Sequence, residues 1–368
     1  MRPFTMVAPT ASADGYGCAA EALILSAVRS HGADIAFIEH DWRDSRYTDP
    51  DLMAMCVQEH SQPVKDRDVM VVMFLPFALT RFRSWTTLLF TMWETDRIPD
   101  LWARIIEPMA DGVIVPSEHC REVFQESVSV PVLSVPFGTD TDLYTERDRS
   151  VRHPFAQPFT FLMAGLLHYR KGLEFALRAF REEFDSGEDV CLVLKTRRHF
   201  LDAGDEFRTL SDPRVTVIDS DFTREQMRDL YHSADCFLAP SRGEGSGLTP
   251  RDAMATGLPV ILTDWSGLQE IADPIATWPI PVDCLEPAPE TNSSYGAGVT
   301  GGGPIGNFAR PSIPALRAAM REAYEYPQMT REKGRLAATW MRREFTWNRC
   351  AGLWLKALEQ LSVVEETA

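Results

Sequence analysis

The sequence predicts an α/β protein made of two doubly wound, Rossmann-like domains, and three observations lead to this fold class. Short apolar runs of strand length alternate with helical patterns along most of the 368 residues. The alternation stops at a polar, proline-containing stretch, Thr145–Pro158, and then starts again. A chain of this length suits two domains of roughly 150 residues each. Strands that are apolar throughout are typical of parallel sheets covered by helices on both faces.

The first half of the chain supplies one such domain, predicted over residues 1–150. A helix is predicted over Ala19–Ser30, because Leu23 and Ala27 follow at helical spacing and Gly32 stands where a carboxyl-terminal cap belongs. The predicted strands are Phe4–Ala8, Ile35–Ile38, Val69–Phe74, Leu88–Met92 and Gly112–Val115.

The second half repeats the pattern and is predicted as a domain over residues 151–345. Its ligand is expected at the carboxyl ends of the strands. The stretch Pro287–Asn307 is rich in Gly, Pro, Ser and Asn and is interpreted as a long loop, either functional or an insert without function; from Pro311 to about Leu361 the chain is predicted to be helical. The predicted strands are Phe159–Ala164, Val190–Lys195, Val215–Ile218, Cys236–Ala239 and Val260–Thr263, and the predicted helices are Gly172–Phe184, Arg224–Ser233 and Arg251–Thr256.

Composition limits the classes of function. A net charge of −16 disfavours a general nucleic-acid binder and electrostatic attachment to anionic membranes. The seven cysteines are scattered and form no Cys-x-x-Cys pair, which indicates a reducing compartment and no structural zinc site. The amino terminus lacks the apolar core of a signal peptide, and the longest apolar run, Val69–Leu79, is too short to cross a bilayer. We therefore expect a cytoplasmic protein without a transmembrane segment.

The most informative motif is the glycine-rich stretch Ser241–Ile261, which follows a strand and opens a helix. Glycines at such a place let backbone amides approach a phosphate closely, and the positive end of the helix attracts it. Glu244 and Asp252 stand before this helix and in its first turns, and carboxylates of this kind suit sugar hydroxyls. Taken alone, the pattern also fits an ordinary strand–turn–helix connection. The residues of this motif predicted to bind a phosphorylated ligand are Ser246, Gly247, Leu248, Thr249 and Asp252.

This stretch resembles the glycosyltransferases of family four, which are retaining enzymes of the GT-B fold with the signature Glu-Gly-Phe-Gly-Leu, then Leu-Glu-Ala-Met-Ala-x-Gly-x-Pro-Val-Ile. Ser246 replaces the phenylalanine of that signature, and Asp252 replaces its second glutamate with a shorter side chain. The resemblance implies that Glu244 orients the transferred sugar and that Asp252 contacts the ribose of the donor. The matching residues are Glu244, Gly245, Gly247, Leu248 and Ala253–Ile261.

The resemblance spans most of the chain and implies two domains that face a cleft, with acceptor binding in the first and donor binding in the second. It also implies that residues 346–368 form a helix that packs back on the first domain. The co-substrate would be a UDP- or GDP-sugar, with no cofactor and no metal. The acceptor stays open among a glycan, a lipid-linked glycan, a small molecule and a modified nucleobase.

A second motif, Gly165–Gly172, also follows a strand and opens a helix. Its Lys171 matches the lysine of the family's Lys-Gly pair and can reach a diphosphate as a point charge. Leu166 stands where the family has an arginine, so one phosphate contact is either missing or supplied by Arg170. Lys195, at the end of the next strand, is a further candidate for donor binding. A solvated basic loop is the alternative interpretation.

Two weaker features lie in the first half. Gly15 and Gly17 follow the first strand where the family has a glycine-rich loop against the donor, although a plain turn fits as well. Glu94 and Asp96 are candidate partners of an acceptor hydroxyl or a catalytic base, or they simply pair with Arg97 and cap a helix. Many relatives carry a histidine in this region and this sequence does not, so the base stays unassigned. The predicted catalytic residues are Glu244, Lys171 and Glu94.

Three other interpretations compete with an active, metal-independent glycosyltransferase. Asp140-Thr141-Asp142 and Asp219-Ser220-Asp221 fit the Asp-x-Asp metal pattern of the other glycosyltransferase fold, but short aspartate pairs in loops usually cap turns and helices. A catalytically inactive, nucleotide-sugar-binding partner subunit stays open because of the two motif departures. A nicotinamide-dependent oxidoreductase would need a third glycine after Gly15-Tyr16-Gly17, which is absent.

Overall fold

The computed structural model describes residues 2–9, 15–40, 52, 67–82, 85–146, 159–166, 168–196, 212–289 and 297–362. They form two compact units. The amino-terminal unit comprises Met1–Trp93, Arg97–Gly138 and Phe345–Ala368, and the carboxyl-terminal unit comprises Glu94–Asp96 and Thr139–Glu344. The stretch around residue 150, in which a domain boundary is predicted, lies outside the described residues.

A six-stranded parallel sheet forms the centre of the amino-terminal unit, in the order β2-β1-β3-β4-β5-β6. The sequence predicts five of these strands to within two residues, and it misses β6 because three residues are too few to show a pattern. The strands are β1 (Phe4–Ala8), β2 (Ile35–Glu39), β3 (Val69–Met73), β4 (Thr86–Phe90), β5 (Gly112–Val115) and β6 (Val132–Ser134).

Four helices of this unit lie in the described part of the chain. The last of them packs against the first, and its Trp354 is fully buried with its ring 5.5 Å from that of Phe4 on β1. The third begins at a Ser117 cap, whose hydroxyl accepts a hydrogen bond from the amide of Cys120. The helices are α1 (Gly15–His31), α2 (Asp100–Met109), α3 (Glu118–Gln125) and α10 (Trp347–Ser362).

The carboxyl-terminal unit contains a second six-stranded parallel sheet, in the order β12-β11-β10-β7-β8-β9. The chain builds outward from β7 on one side and then returns to start the other side at β10, so the two strands mark a topological switch point. The strands are β7 (Phe159–Ala164), β8 (Val190–Thr196), β9 (Val215–Asp219), β10 (Cys236–Ala239), β11 (Val260–Thr263) and β12 (Thr277–Ile280). The two sheets confirm the predicted α/β architecture of two Rossmann-like units.

Helices cover this second sheet, and their apolar faces form one core with it. Phe180, Leu316 and Met320 from the helices are fully buried against Leu192 and Ile261 from the sheet. The helices are α4 (Leu173–Glu183), α5 (Arg224–Ser233), α6 (Leu248–Ala255), α8 (Ile313–Glu325) and α9 (Pro327–Glu344).

The predicted loop Pro287–Asn307 differs from the structure at both of its ends. Val282–Pro287 (β13) and Asn307–Pro311 (β14) pair as an antiparallel ribbon, and Ala297–Thr300 forms a short helix, α7. The ribbon is missed because β13 is largely exposed and carries no alternating apolar pattern. Residues 290–296 of the predicted loop lie outside the described residues.

Two helix starts also differ from the prediction. Helix α1 begins at Gly15, so Gly15 and Gly17 lie in its first turn and not in a glycine-rich loop. Tyr16 between them anchors this first turn, because its hydroxyl shares a hydrogen bond with the Thr91 hydroxyl and accepts one from the amide of Met92. Helix α6 begins at Leu248, three residues before the predicted start. In the part of the chain that the structure describes, no helix is both long and apolar enough to cross a membrane.

The buried indole of Trp354 predicts how strongly α10 stabilises the amino-terminal unit. We expect Trp354→Ala to lower the free energy of unfolding of this unit by about 3–5 kcal/mol, because it removes a fully buried aromatic side chain and leaves a cavity. Leu353→Ala is the matched control, since its side chain is 37% exposed on the same helix. Chemical denaturation of both variants tests this, and equal losses of stability would contradict it.

Candidate active site

The two motif-bearing loops meet at the switch point of the carboxyl-terminal sheet. The loop after β7 ends in a 3-10 turn, Tyr169–Lys171, and in Gly172, whose φ is +71°. A side chain at Gly172 would place its Cβ only 2.1 Å from the carbonyl oxygen of Pro240, at the end of β10. The amide of Arg242 donates to the carbonyl of Arg170 over 2.7 Å. Glycine at position 172 therefore allows a backbone approach that fixes one loop on the other.

Four charged side chains gather where these loops touch, and we call Glu94, Arg170, Lys171 and Glu244 the charge cluster. The ammonium of Lys171 donates to Oε1 of Glu244 over 2.7 Å, and the guanidinium of Arg170 donates to Oε2 over 2.7 Å. Another guanidinium nitrogen of Arg170 lies 3.5 Å from Oε1 of Glu94. Both carboxylates are at least nine-tenths buried. The cluster thus pairs two acids with two bases, so little uncompensated charge is buried.

The electrostatics of the cluster favour the ionised form of Glu244. Burial alone would raise the pKa of the Glu244 carboxyl, but the adjacent Arg170 and Lys171 outweigh it and hold that pKa well below its usual range. Burial lowers the pKa of the Lys171 ammonium, and Glu244 opposes this effect. His168 is also buried beside these cations, and the two effects lower its pKa to about 3. His168 is therefore a neutral imidazole at physiological pH.

Hydrogen bonds from the surrounding backbone and hydroxyls fix the position of Glu244. The hydroxyl of Ser241 donates to Oε1 of Glu244 over 2.8 Å. The amide of Glu244 donates to the hydroxyl of Ser266 over 2.9 Å, and the amide of Gly267 donates to the carbonyl of Glu244 over 2.8 Å. Ser266 and Gly267 both follow β11. The loops after β7, β10 and β11 therefore all contribute to holding Glu244 in place.

The glycine-rich loop leads directly into α6. Gly247 is the residue before the helix, and Leu248 is its first residue. Backbone amides at such a helix start suit an anion. The hydroxyl of Ser246 is fully buried there and has no hydrogen-bond partner among the described residues. The first turn, with Leu248 and Thr249, therefore offers amide donors and one buried hydroxyl to a ligand.

Asp252 lies on the same helix but outside the charge cluster. Its Oδ1 accepts a hydrogen bond from the hydroxyl of Thr139, and its side chain is half-buried. Burial raises the pKa of the Asp252 carboxyl to about 7, and the Thr139 hydrogen bond opposes that rise. The structure therefore brings Lys171 and Glu244 together and places Asp252 apart, in a different electrostatic environment.

Two further groups of predicted donor-binding residues occupy other places. The ammonium of Lys195 donates to the carbonyls of Thr196 and Ser220, over 2.9 and 2.6 Å, and so ties the ends of β8 and β9 together. Gly15 and Gly17 lie in the amino-terminal unit. Donor contacts of these three residues stay predictions.

The short segment Glu94–Asp96 belongs to the carboxyl-terminal unit, which the sequence does not indicate. Oδ1 and Oδ2 of Asp96 accept hydrogen bonds from the amide and the side chain of Asn307, over 2.6 and 2.8 Å. The hydroxyl of Thr95 donates to the carbonyl of Ile305. A Cβ on Gly243 would lie 2.0 Å from the carbonyl oxygen of Glu94, so this segment also touches the glycine-rich loop directly. Asp96 therefore anchors the segment to β14, and Glu94 in the same segment lies beside Arg170.

Arg242 is a structural residue that sequence reasoning missed. Its guanidinium stacks on the rings of Tyr169 and Phe175, 3.8 and 4.2 Å from their centroids, and pairs with Glu174. The residue is 5% exposed. An arginine in a glycine-rich loop gives no sequence signal that distinguishes such a buried anchor from a ligand contact.

Within the described part of the chain, no group of three or more His, Cys, Asp or Glu side chains is arranged so that it could hold a metal ion. This holds for the aspartate pairs Asp140/Asp142 and Asp219/Asp221 as well. Metal-independent action stays an expectation from the resemblance.

The fold is that of the GT-B glycosyltransferases. Sucrose-phosphate synthase from Thermosynechococcus elongatus superimposes with a TM-score of 0.72 at 17% sequence identity, covering 99% of this chain and 100% of that chain. At this identity the likeness concerns the fold alone.

Residues 158–283 match the family model described as Glycosyl transferases group 1. The GDP-mannose-dependent alpha-(1-6)-phosphatidylinositol dimannoside mannosyltransferase of Mycobacterium tuberculosis is 29% identical over 171 residues, which are 44% of this chain and 43% of that protein. The lipopolysaccharide core biosynthesis mannosyltransferase LpsB of Rhizobium meliloti is 54% identical over 43 residues, 12% of each chain. The chain thus spans less than half the length of these relatives. The resemblance to group 1 glycosyltransferases is confirmed over the segment that carries Lys171, Glu244 and Asp252.

The charge cluster predicts a pH-dependent contribution to stability. We expect Glu244→Gln to lower the free energy of unfolding of the carboxyl-terminal unit by about 3–5 kcal/mol at neutral pH, because two buried cations lose their carboxylate. The native pKa of Glu244 is depressed below its ordinary value of 4.5, so this contribution is present above pH 4.5 and is lost as the pH falls further.

Chemical denaturation at neutral pH and near pH 4 measures this difference. Glu182→Gln is the matched control, since Glu182 pairs with Arg178 on the exposed face of α4 and its loss is expected to change little. A Glu244→Gln effect that stays constant over this pH range would contradict the prediction.

Proposed function

We propose that this protein is a glycosyltransferase that moves a sugar from a nucleotide-diphosphate donor to an acceptor hydroxyl with retained anomeric configuration. The observation that carries this proposal is the contact between Lys171 and Glu244 at the switch point of the sheet. It joins a cation suited to a diphosphate with a carboxylate suited to sugar hydroxyls, beside the start of α6. Both residues lie in the segment 158–283, which matches the group 1 family model.

The leaving diphosphate would be stabilised by Lys171 and by the amides of Gly247 and Leu248. Negative charge develops on the phosphate oxygens as the bond to the sugar breaks, and donors fixed in advance at that place lower the barrier. The buried hydroxyl of Ser246 is a further donor in the same turn. We propose that this step needs no cofactor, since the activated donor itself carries the leaving diphosphate.

Glu244 would change partners when the donor binds. Without a ligand its carboxylate neutralises Lys171 and Arg170. A diphosphate that approaches Lys171 competes for the same ammonium, and the oxygen of Glu244 thereby released can accept from hydroxyls of the transferred sugar. Because the pKa of Glu244 is strongly depressed, the group acts as a hydrogen-bond acceptor and not as a proton donor.

The donor is proposed to be GDP-mannose. Two of the relatives that match the chain in sequence are mannosyltransferases, and one of them is named as GDP-mannose-dependent. UDP-glucose is the contrasting donor, because the resemblance leaves the base open. A nicotinamide-dependent oxidoreductase gains no support, since the matched segment is that of a glycosyltransferase.

The first test concerns Lys171. We expect wild-type protein to bind GDP-mannose and to hydrolyse it slowly without an acceptor, and Lys171→Met to reduce that rate by about 10²–10³-fold, because one diphosphate donor is lost. Lys356→Met is the control, since Lys356 is exposed on α10. Release of GDP, or of UDP from UDP-glucose, measures the rate.

The results of this test distinguish an active transferase from an inactive nucleotide-sugar-binding subunit and from a nicotinamide-dependent oxidoreductase. Hydrolysis that depends on Lys171 supports the transferase, and the α configuration of the released sugar, followed by NMR, supports retention. Binding without turnover, even when glycan and lipid-linked acceptors are added, would favour an inactive nucleotide-sugar-binding subunit. Binding of a nicotinamide cofactor and of no nucleotide sugar would refute the proposal.

The role proposed for Glu94 is to position Arg170. Its carboxylate lies 3.5 Å from that guanidinium, and both side chains are largely buried. We expect Glu94→Gln to raise KM for the donor while kcat falls less than about tenfold, because the effect is transmitted through Arg170. A loss of more than about a hundredfold in kcat at unchanged KM would instead assign Glu94 as the catalytic base.

A further inference from the structure

Residues 139–144, which directly follow Gly138 at the end of an amino-terminal-unit segment, pack on helices of the carboxyl-terminal unit. Asp140 pairs with Arg224 on α5 over 3.2 Å, and its other oxygen accepts from the amide of Leu143 over 3.1 Å. The ring of Tyr144 lies edge-on to that of Tyr231, also on α5, at 5.9 Å. Residues 139–144 are therefore held in place by packing and ion pairing within the carboxyl-terminal unit.

Thr139 is the member of this segment that reaches α6. It is 1% exposed, and its hydroxyl donates to Oδ1 of Asp252. No hydrogen bond to Oδ2 of Asp252 is found among the described residues, and the side chain as a whole is only half-buried. One carboxylate oxygen is thus held by the protein while the other is left to accept from a ligand.

We propose that Thr139 is a positioning residue for nucleotide recognition, which holds one oxygen of Asp252 so that the other can accept a hydrogen bond from the ribose of the donor. This inference rests on the proposed function. Aspartate stands here in place of the longer glutamate of the family signature. A carboxylate that reaches less far gains from a neighbour that fixes its orientation, because fewer of its orientations would meet the ribose.

The surroundings of Asp252 make this arrangement sensitive to pH. Burial favours the neutral carboxyl, and the charge of Asp140 acts in the same direction, whereas Thr139, Arg224 and Arg251 favour the carboxylate. Tyr231 stays protonated, because its own burial and then Asp252 and Tyr144 raise its pKa well above the usual range. With the pKa of Asp252 at about 7, its carboxylate form grows as the pH rises through neutrality.

The experiment compares nucleotides with and without ribose hydroxyls. The affinities of GDP and UDP, and of their 2′,3′-dideoxy forms, are measured by calorimetry across about pH 5 to 9. The ratio of ribo- to dideoxynucleotide affinity isolates the ribose contact, because titration of the phosphates affects both nucleotides alike. In the wild type we expect this ratio to rise with pH, with a midpoint near pH 7.

Thr139→Val keeps the volume of the buried side chain and removes the hydroxyl. Its midpoint is expected to move to higher pH by on the order of one pH unit, and its ratio at pH 7 to fall roughly fivefold as the ionised fraction of Asp252 drops. Thr139→Ser, which keeps the hydroxyl, should follow the wild type. Asp252→Asn should show a ratio that does not change with pH. Unchanged affinity for the dideoxynucleotide reports that each variant is folded.

The outcomes distinguish this inference from the function on which it rests. If nucleotides bind but Thr139→Val keeps the midpoint of the wild type, Thr139 is not a positioning residue and the proposed function stands. The same holds if the ratio in the wild type does not depend on pH. If neither GDP nor UDP binds to the wild type, the proposed function fails and the inference fails with it.

Discussion

The ion pairing of the buried Glu244 carboxylate is the interaction on which the loops of the carboxyl-terminal unit depend. An isolated carboxylate at this depth would cost several kcal/mol, so cations must be held within hydrogen-bond distance of both of its oxygens. Those cations come from the loop after β7, whereas Glu244 comes from the loop after β10. The two loops must therefore touch, and a glycine at position 172 makes room for that contact at the backbone of Pro240.

The charge cluster also bears on Leu166, which stands where the glycosyltransferases of family four have an arginine. Arg170 is not a free substitute for it, because its guanidinium already binds the carbonyl of Gly243 over 2.6 Å and the Glu244 carboxylate. The Lys171 ammonium binds one oxygen of the Glu244 carboxylate, and amide and hydroxyl donors at the start of α6 would supplement this cation when a diphosphate binds. In the proposed function, donor binding at this site would rely more on oriented dipoles than on net positive charge.

The sequence predicts most of the parallel strands and locates the family motif, because both depend on local patterns. Buried parallel strands are continuous apolar runs, and the motif around Glu244 is a fixed spacing along the chain. The ribbon β13–β14 escapes prediction because β13 is largely exposed and because the two strands are stabilised by pairing between residues at least twenty positions apart. The contacts Glu94–Arg170 and Thr139–Asp252 join residues 76 and 113 positions apart, so no local pattern encodes them. The residue type of Gly15 and Gly17 indicates a loop, whereas both lie in the first turn of α1, which the long-range contact of Tyr16 with Thr91 anchors.

The segment Glu94–Asp96 has a consequence for any attempt to separate or recombine the two halves of the chain. A fragment that runs from Thr139 to Glu344 contains all six strands of the second sheet, yet it lacks three residues that belong to the same compact unit. In such a fragment Arg170 would lose a carboxylate neighbour, and Asn307 would lose its three hydrogen bonds with Asp96. A chimaera of two relatives with a single crossover near residue 139 would combine residues 94–96 of one parent with the contacting residues of the other. Grafting residues 94–96 together with the second half keeps these contacts native.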